Sequence, residues 1–264
     1  VLAGPPKDPV EIPDALMRYI DVQPYEFVWR NEIGGLTLRI GEGASSVYVK
    51  WMPRTLGADL SGEVARLRWA GAYVQVPTVL EVGLDEHGSW FLCTGIDAEN
   101  AVSPRWLQHP KTATTAVGRG LREFHDAFDV AGCPFEWSIE SRLRDIERRL
   151  NSGFYRRHEL GWDLSGLGVE EAIDELRRRP EEDLVVCHGD ACAPNTLLDE
   201  SGNCVAHVDF GRLGVGDRWA DLAVAAWSAV WNYGPEWEMN VYDAYGLEPD
   251  EAKIRYYRLL WELG

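Results

Sequence analysis

The sequence predicts an α+β chain in two lobes: a small N-terminal lobe with an antiparallel sheet and one key helix, and a larger, mainly helical C-terminal lobe. Three observations carry this. Strand-length apolar or alternating runs crowd residues 1–94. Over residues 95–264 the apolar residues recur mostly at helical spacing. That helical stretch is interrupted by short apolar runs around a turn rich in Gly, Asp, Pro and Asn, near residues 183–211.

Taken in order, residues 1–24 are Pro-rich, a loose lead-in with a short helix near Asp14–Ile20. Tyr25–Arg30 and Leu36–Ile40 read as strands around Asn31-Glu32-Ile33-Gly34-Gly35. Gly34 and Gly35 would let that hairpin backbone lie close to a phosphate group, although any hairpin can carry glycines. Ser46–Trp51 alternates as a third strand that carries Lys50 near its end. Leu60, Val64 and Leu67 then repeat at helical spacing, with Glu63 beside the stripe, where it can reach inward. Pro77–Val82 and Ser89–Cys93 close the sheet, and Thr94–Asp97 joins the lobes.

In the second lobe Val117, Leu121, Phe124 and Phe128 form one apolar stripe, with His125 beside it as a core or structural histidine. Ile139, Leu143, Ile146 and Leu150 form another. The stretch after Asn151 is Gly-rich and irregular and holds Trp162 and Asp163. Val169, Ile173 and Leu176 open a helix that should end at Pro180. Arg212–Trp219 reads as a loop, Ala220–Val230 as a helix, and Ile254, Tyr257 and Trp261 mark a last one.

The chemistry-bearing stretch is Cys187-His188-Gly189-Asp190-Ala191-Cys192-Ala193-Pro194-Asn195, followed by Val208-Asp209-Phe210-Gly211. Asp183–Cys187 and Thr196–Asp199 read as short buried strands, so Asp190 and Asn195 share one turn. Val205–Val208, paired through a Gly202-Asn203 turn, brings Asp209 back beside them. Two carboxylates and an amide oxygen on one loop suit phosphoryl transfer from a nucleotide. That reaction needs a group to orient and deprotonate a hydroxyl, and oxygen ligands for Mg²⁺. The bland alternative is a hairpin with surface acids, since Asp and Asn favour turns.

The spacing matches a protein-kinase catalytic loop, with Gly189 where a protein kinase has Arg. His-Gly-Asp-x-x-x-x-Asn instead resembles the aminoglycoside phosphotransferases and their choline-kinase-like relatives. Over nearly its whole length the chain is similar to the 3′-phosphotransferase branch. The match runs through Lys50, Glu63, Cys133-Pro134-Phe135, Asp209–Arg212, Asp217-Arg218 and Asp221-Leu222-Ala223 to Tyr256–Glu262.

The resemblance implies a protein-kinase-like fold and transfer from ATP, or GTP in its place, to a hydroxyl of a small antibiotic. Asp190 would be the catalytic base, Asn195 and Asp209 the Mg²⁺ ligands, and Lys50 the phosphate clamp ordered by Glu63. Thr94 and Ile96 would offer main-chain groups to adenine. The acceptor would be bound by Trp162, Asp163, Arg212, Trp227, Trp231, Asn232, Glu262 and the Gly264 carboxylate. Trp227, Trp231, Asn232 and Trp261 fall where relatives tend to carry charge, which makes the pocket flatter and more aromatic. Each Trp taken singly also fits plain helix packing. The alternatives are a kinase of the same fold acting on a macrolide, a peptide antibiotic or a metabolite, and an inactive nucleotide-binding relative.

Composition narrows the partners. A net charge of −17 argues against nucleic acid, whose backbone demands Lys and Arg; it would steer a cationic small molecule, and equally fits a charge that simply keeps the protein soluble. A hydrophobic fraction of 45 % with 12 Trp supplies a packed core. Five scattered Cys without metal spacing, no apolar stretch of membrane-span length and no signal-peptide core point to a cytoplasmic enzyme. No obligate protein partner is indicated.

Overall fold

A computed structural model describes residues 4–6, 8–20, 23–31, 34–54, 60–151 and 167–264. The chain divides into two compact units, Val1–Asp97 and Ala98–Gly264.

The first unit is built on a five-stranded antiparallel sheet. Its strands are β1 (Tyr25–Arg30), β2 (Leu36–Ile40), β3 (Val47–Pro53), β4 (Val79–Leu84) and β5 (Gly88–Thr94), in the order β1-β2-β3-β5-β4. Thus β5 lies inside the sheet and β4 forms an edge. Leu36, Leu38 and Ile40 alternate inward on β2 and pack with Val49 and Trp90. Helix α1 (Asp14–Ile20) contributes Leu16 and Ile20 to that core. Helix α2 (Ser61–Ala70) buries Glu63, Val64, Leu67 and Ala70.

The second unit opens with β6 (Glu99–Asn100), α3 (Pro104–Leu107) and α4 (Pro110–Asp126), followed by α5 (Ile139–Asn151) and α6 (Val169–Leu176). Four short strands follow: β7 (Leu184–Cys187), β8 (Thr196–Leu198), β9 (Cys204–His207) and β10 (Gly214–Asp217). Helices α7 (Trp219–Tyr233), α8 (Glu238–Tyr245) and α9 (Glu251–Leu263) complete it. Helix α7 is buried almost all round from Trp219 to Ala229, as its Ala-rich sequence requires of a central helix. Helix α4 approaches α8 closely at Gly118, where a Cβ would stand 2.3 Å from the Val241 carbonyl. Among the described residues no helix is long and apolar enough to cross a membrane.

Several expectations need correcting. Residues 212–219 are not all loop: Gly214–Asp217 pairs antiparallel with β7. The two runs flanking Asp190 are short buried strands as expected, β7 pairing with β10 and β8 with β6 and β9. Helix α6 stops at Leu176, short of Pro180. Helices α3 and α8 and the two-residue β6 had no counterpart in the sequence reading.

Candidate active site

Asp190 follows β7 on a turn that the rest of the second unit holds from several sides. Gly189 has φ +86°, and a Cβ there would stand 2.5 Å from both the Cβ and the carbonyl oxygen of Arg212. Glycine is therefore required for space as well as for its left-handed backbone. His188 is fully buried, and its Nε2 lies 2.9 Å from the Val208 carbonyl. A carbonyl only accepts, so Nε2 carries the hydrogen and Nδ1 accepts the Asp190 N–H at 3.2 Å. Asn195 donates Nδ2 to the Asp190 carbonyl at 2.9 Å, which leaves its Oδ1 as an acceptor. Its own carbonyl takes the Val208 N–H at 3.0 Å, extending the β8–β9 ladder towards Asp209. Within this unit the fold thus brings Asp190, Asn195 and the Val208–Asp209 segment together.

Asp209 has φ +68°, the left-handed region that non-glycine residues rarely adopt. It is held there by a rigid neighbour: Phe210 is fully buried, 5.0 Å from the His188 ring and 6.0 Å from Phe124. Backbone strain of this kind, typically about 1–3 kcal/mol, persists where the surroundings over-determine it and is frequent at functional sites.

A second carboxylate, Asp221 of α7, clamps the turn from below. It is fully buried and accepts the N–H groups of His188 at 2.5 Å and Gly189 at 2.8 Å. His125 Nε2 lies 3.0 Å from it. Burial alone would push the Asp221 carboxyl up. The hydrogen bond from His125, the neighbouring His125 and His188 rings and the Gly189 N–H outweigh that and hold it below the ordinary value. On the other flank, Ser228 Oγ accepts the Ala193 N–H at 2.9 Å. The Cys192 thiol donates to Asp190 Oδ1 at 3.2 Å. Burial and the Asp190 charge push that thiol well above its ordinary range, so Cys192 is not an activated thiolate.

In the first unit, Lys50 of β3 and Glu63 of α2 form a close pair. Lys50 Nζ lies 2.9 Å from Oε1 and 2.8 Å from Oε2, with Glu63 buried. The hairpin glycines behave differently from a bare phosphate cradle. The Gly34 N–H is donated to the Asn31 carbonyl at 3.1 Å, and the Gly35 N–H to Asn31 Oδ1 at 2.6 Å. At the end of β5, the Thr94 N–H goes to the Thr78 carbonyl and the Gly95 N–H to Ser46. Any main-chain contact from Thr94 to a base therefore falls to its carbonyl, while Ile96 lies beyond the sheet.

Of the residues expected to bind an acceptor, Trp162 and Asp163 lie outside the described residues. Trp227, Trp231 and Trp261 gather into one cluster of α7 and α9, with ring centres 4.7, 5.6 and 6.0 Å apart. Trp227 is 2 % exposed, so it backs the cluster instead of forming its surface. Trp231 and Trp261 are half-buried, and the indole Nε1 of each is buried without a hydrogen-bond partner among the described residues. Asn232 donates to the Ser228 carbonyl at 2.7 Å, one turn back on α7. Arg212 stacks 5.6 Å from the Trp137 ring centre, and Glu262 and Gly264 are half-buried at the end of α9.

Among the described residues no group of three or more His, Cys, Asp or Glu side chains is arranged to hold a metal. The donors expected for Mg²⁺ are an amide oxygen and one carboxylate. That is a hard-oxygen pair suited to an ion that keeps water and phosphate oxygens as its other ligands. Sequence reasoning assigned no role to Asp221, Ser228 or Tyr245 and gave His125 only a structural one. The signal available for Asp221 was an acid inside an otherwise apolar helix, since such a group must find partners when buried.

A kinase-type loop with Asp, Asn and a left-handed Asp-Phe-Gly, on a helical unit that follows a five-stranded sheet, defines an ATP-dependent phosphotransferase. A family model described as APH, phosphotransferase enzyme family, matches residues 33–257. An aminoglycoside 3′-phosphotransferase of Streptomyces fradiae is 34 % identical over 236 residues, covering 84 % of this chain and 87 % of that protein. The crystal structure of an aminoglycoside 3′-phosphotransferase of type VIII superposes with a TM-score of 0.80 at 31 % identity, covering 95 % of this chain and 98 % of that one. The phosphotransferase APH(3″)-Id of Streptomyces rimosus, in complex with ADP and streptomycin, gives a TM-score of 0.67 at 25 % identity, covering 86 % and 90 %. The chain belongs to the aminoglycoside phosphotransferase family and is a phosphotransferase of the aminoglycoside 3′-phosphotransferase kind.

Proposed function

We propose that the chain transfers the γ-phosphoryl group of ATP to a hydroxyl of an aminoglycoside and so confers resistance to it. The observation that carries this reading is the Asp190 turn, whose backbone is fixed by Asp221, His188 and Asn195 while among the described residues its carboxylate accepts a hydrogen bond only from the Cys192 thiol. Asp190 accepts the proton of the acceptor hydroxyl. The hydroxyl oxygen bonds to phosphorus as the bond to the ADP oxygen breaks. Asn195 Oδ1 and the Asp209 carboxylate would hold Mg²⁺, which when bound neutralises charge on the phosphates. Lys50, oriented by Glu63, serves the α- and β-phosphates. The protein's contribution is positioning and charge placement.

The net charge of −17 supports a cationic acceptor, because long-range steering raises the encounter rate of opposite charges. The tryptophan cluster favours a second reading. If Trp231 and Trp261 meet the acceptor, their indole faces suit sugar C–H surfaces. A less charged glycoside such as a macrolide would then be the substrate. ATP consumption measured with Mg²⁺ across aminoglycosides and neutral hydroxylated antibiotics separates the two. The first reading expects turnover with the polyamines and none with the neutral compounds; the reverse pattern overturns it.

A further inference from the structure

We propose that Tyr245 and His125 are positioning residues for the loop that carries Asp190, forming with Arg218 and Asp183 a brace that spans strand β7 from end to end. This inference rests on the phosphotransfer reading for its kinetic consequence but not for its geometry.

The brace starts at Asp183, just before β7. Arg218 donates Nε and Nη2 to the two Asp183 oxygens, at 2.6 and 3.0 Å, and its N–H to the Asp183 carbonyl at 3.0 Å. Its Nη1 reaches the Tyr245 hydroxyl at 3.1 Å. That hydroxyl lies 2.7 Å from His125 Nδ1, and His125 Nε2 lies 3.0 Å from Asp221. Asp221 then takes the N–H groups of His188 and Gly189, the two residues that leave β7.

The donors in this chain are set from its two ends, Arg218 and the Asp221 carboxylate. A guanidinium has no acceptor, so the Tyr245 oxygen accepts from Arg218 and keeps its own hydrogen to give to His125 Nδ1. Burial raises the Tyr245 phenol to about 12, so the hydroxyl keeps that hydrogen. With Nδ1 accepting, the His125 hydrogen must sit on Nε2, facing the Asp221 carboxylate. In the other tautomer a lone pair would face that carboxylate, and Asp221 would be free to turn away from the loop. Tyr245 thus reinforces the tautomer that the Asp221 carboxylate requires and keeps the clamp closed, through a contact made possible by Gly118, where α4 and α8 nearly touch.

The test compares Tyr245→Phe with Tyr242→Phe, a second buried tyrosine one turn earlier on α8 whose ring packs near Trp219. Steady-state kinetics and amide exchange by mass spectrometry over residues 185–192 are measured on the full chain. Tyr245→Phe is expected to lower kcat about tenfold, with both KM values within about twofold, since small misplacements of a reacting group cost rate before affinity. Exchange over the loop should quicken, while Tyr242→Phe leaves both readouts near wild type. Arg218→Met, at the partly exposed end of the brace, should quicken loop exchange to a smaller degree and serves if Tyr245→Phe does not fold. Unchanged loop exchange in the brace variants, or a kcat loss matched by Tyr242→Phe, overturns the proposal. Quickened exchange with unchanged kcat overturns its kinetic part. If the wild type transfers no phosphate to any acceptor, the phosphotransfer reading has failed and exchange alone judges the brace.

Discussion

Asp221→Asn is the substitution whose cost can be worked most directly from the structure. The carboxylate receives three hydrogens, from His188 N, Gly189 N and His125 Nε2. A carboxamide offers one oxygen. Placed at the Oδ2 position, it keeps His188 and His125 but turns its NH₂ towards the Gly189 N–H. One charge-assisted bond is lost, a buried donor is stranded, and two bonds weaken to neutral ones. Stranding a buried donor costs about 1–3 kcal/mol, and a bond to a charged group is worth about 1.5–3 kcal/mol. Relief of the carboxylate's own desolvation offsets part of this. A net loss of about 3 kcal/mol follows, and for a chain of this size it lowers the melting temperature by roughly 6–12 °C. Differential scanning calorimetry at neutral pH measures it. A shift under about 2 °C, or a stabilisation, would refute the idea that this carboxylate is what holds the turn.

Two further outcomes follow from the same geometry. His207 of β9 is buried against Phe124 and His188, and burial, reinforced by the neighbouring His188, pushes it down to about 3. Its folded value lies below the unfolded one of about 6.5, so between these the unfolded chain binds the extra proton and stability falls as pH falls. At the bottom of that window the loss is on the order of 4 kcal/mol. His207→Gln should flatten the decline of melting temperature from pH 6.5 towards 4, and a parallel decline in the two proteins would contradict the assignment. Glu63→Gln removes the charge that pairs with Lys50 in a buried setting, where breaking such a pair costs about 3–5 kcal/mol. A several-fold rise in KM for ATP together with a lower kcat is expected, and kinetics within twofold of wild type would speak against a phosphate-orienting role.

How far the sequence could be read depended on whether a residue's partner was near in the chain. Strand β2 and helices α5 and α9 announced themselves by period, since each buries one face against its own unit. Asp190, Asn195 and Asp209 were legible because their spacing is short and their chemistry specific. Strand β10 was not, because Gly214-Val215-Gly216 has the composition of a loop. Its glycines serve close packing: a Cβ on Gly214 would stand 2.7 Å from the Glu136 carbonyl carbon, and one on Gly216 2.7 Å from the Trp137 oxygen. That strand slots between β7 and the 135–137 segment, which no local pattern encodes. The brace through His125, Tyr245 and Asp221 joins residues about a hundred positions apart, and a lone histidine beside an apolar stripe gives no hint of such partners. For Gly118 a signal did exist, as a glycine inside a long helix costs stability unless another backbone must come close.

The central claim is that Asp190 takes the proton of an acceptor hydroxyl, and one comparison bears on it most directly. Phosphoryl transfer by Asp190→Ala, followed by ³¹P NMR with the acceptor that the wild type uses, is measured beside nucleotide affinity by calorimetry. Loss of a general base predicts transfer slowed by about 10²–10⁴-fold with nucleotide affinity unchanged. Transfer within about tenfold of wild type would contradict the account.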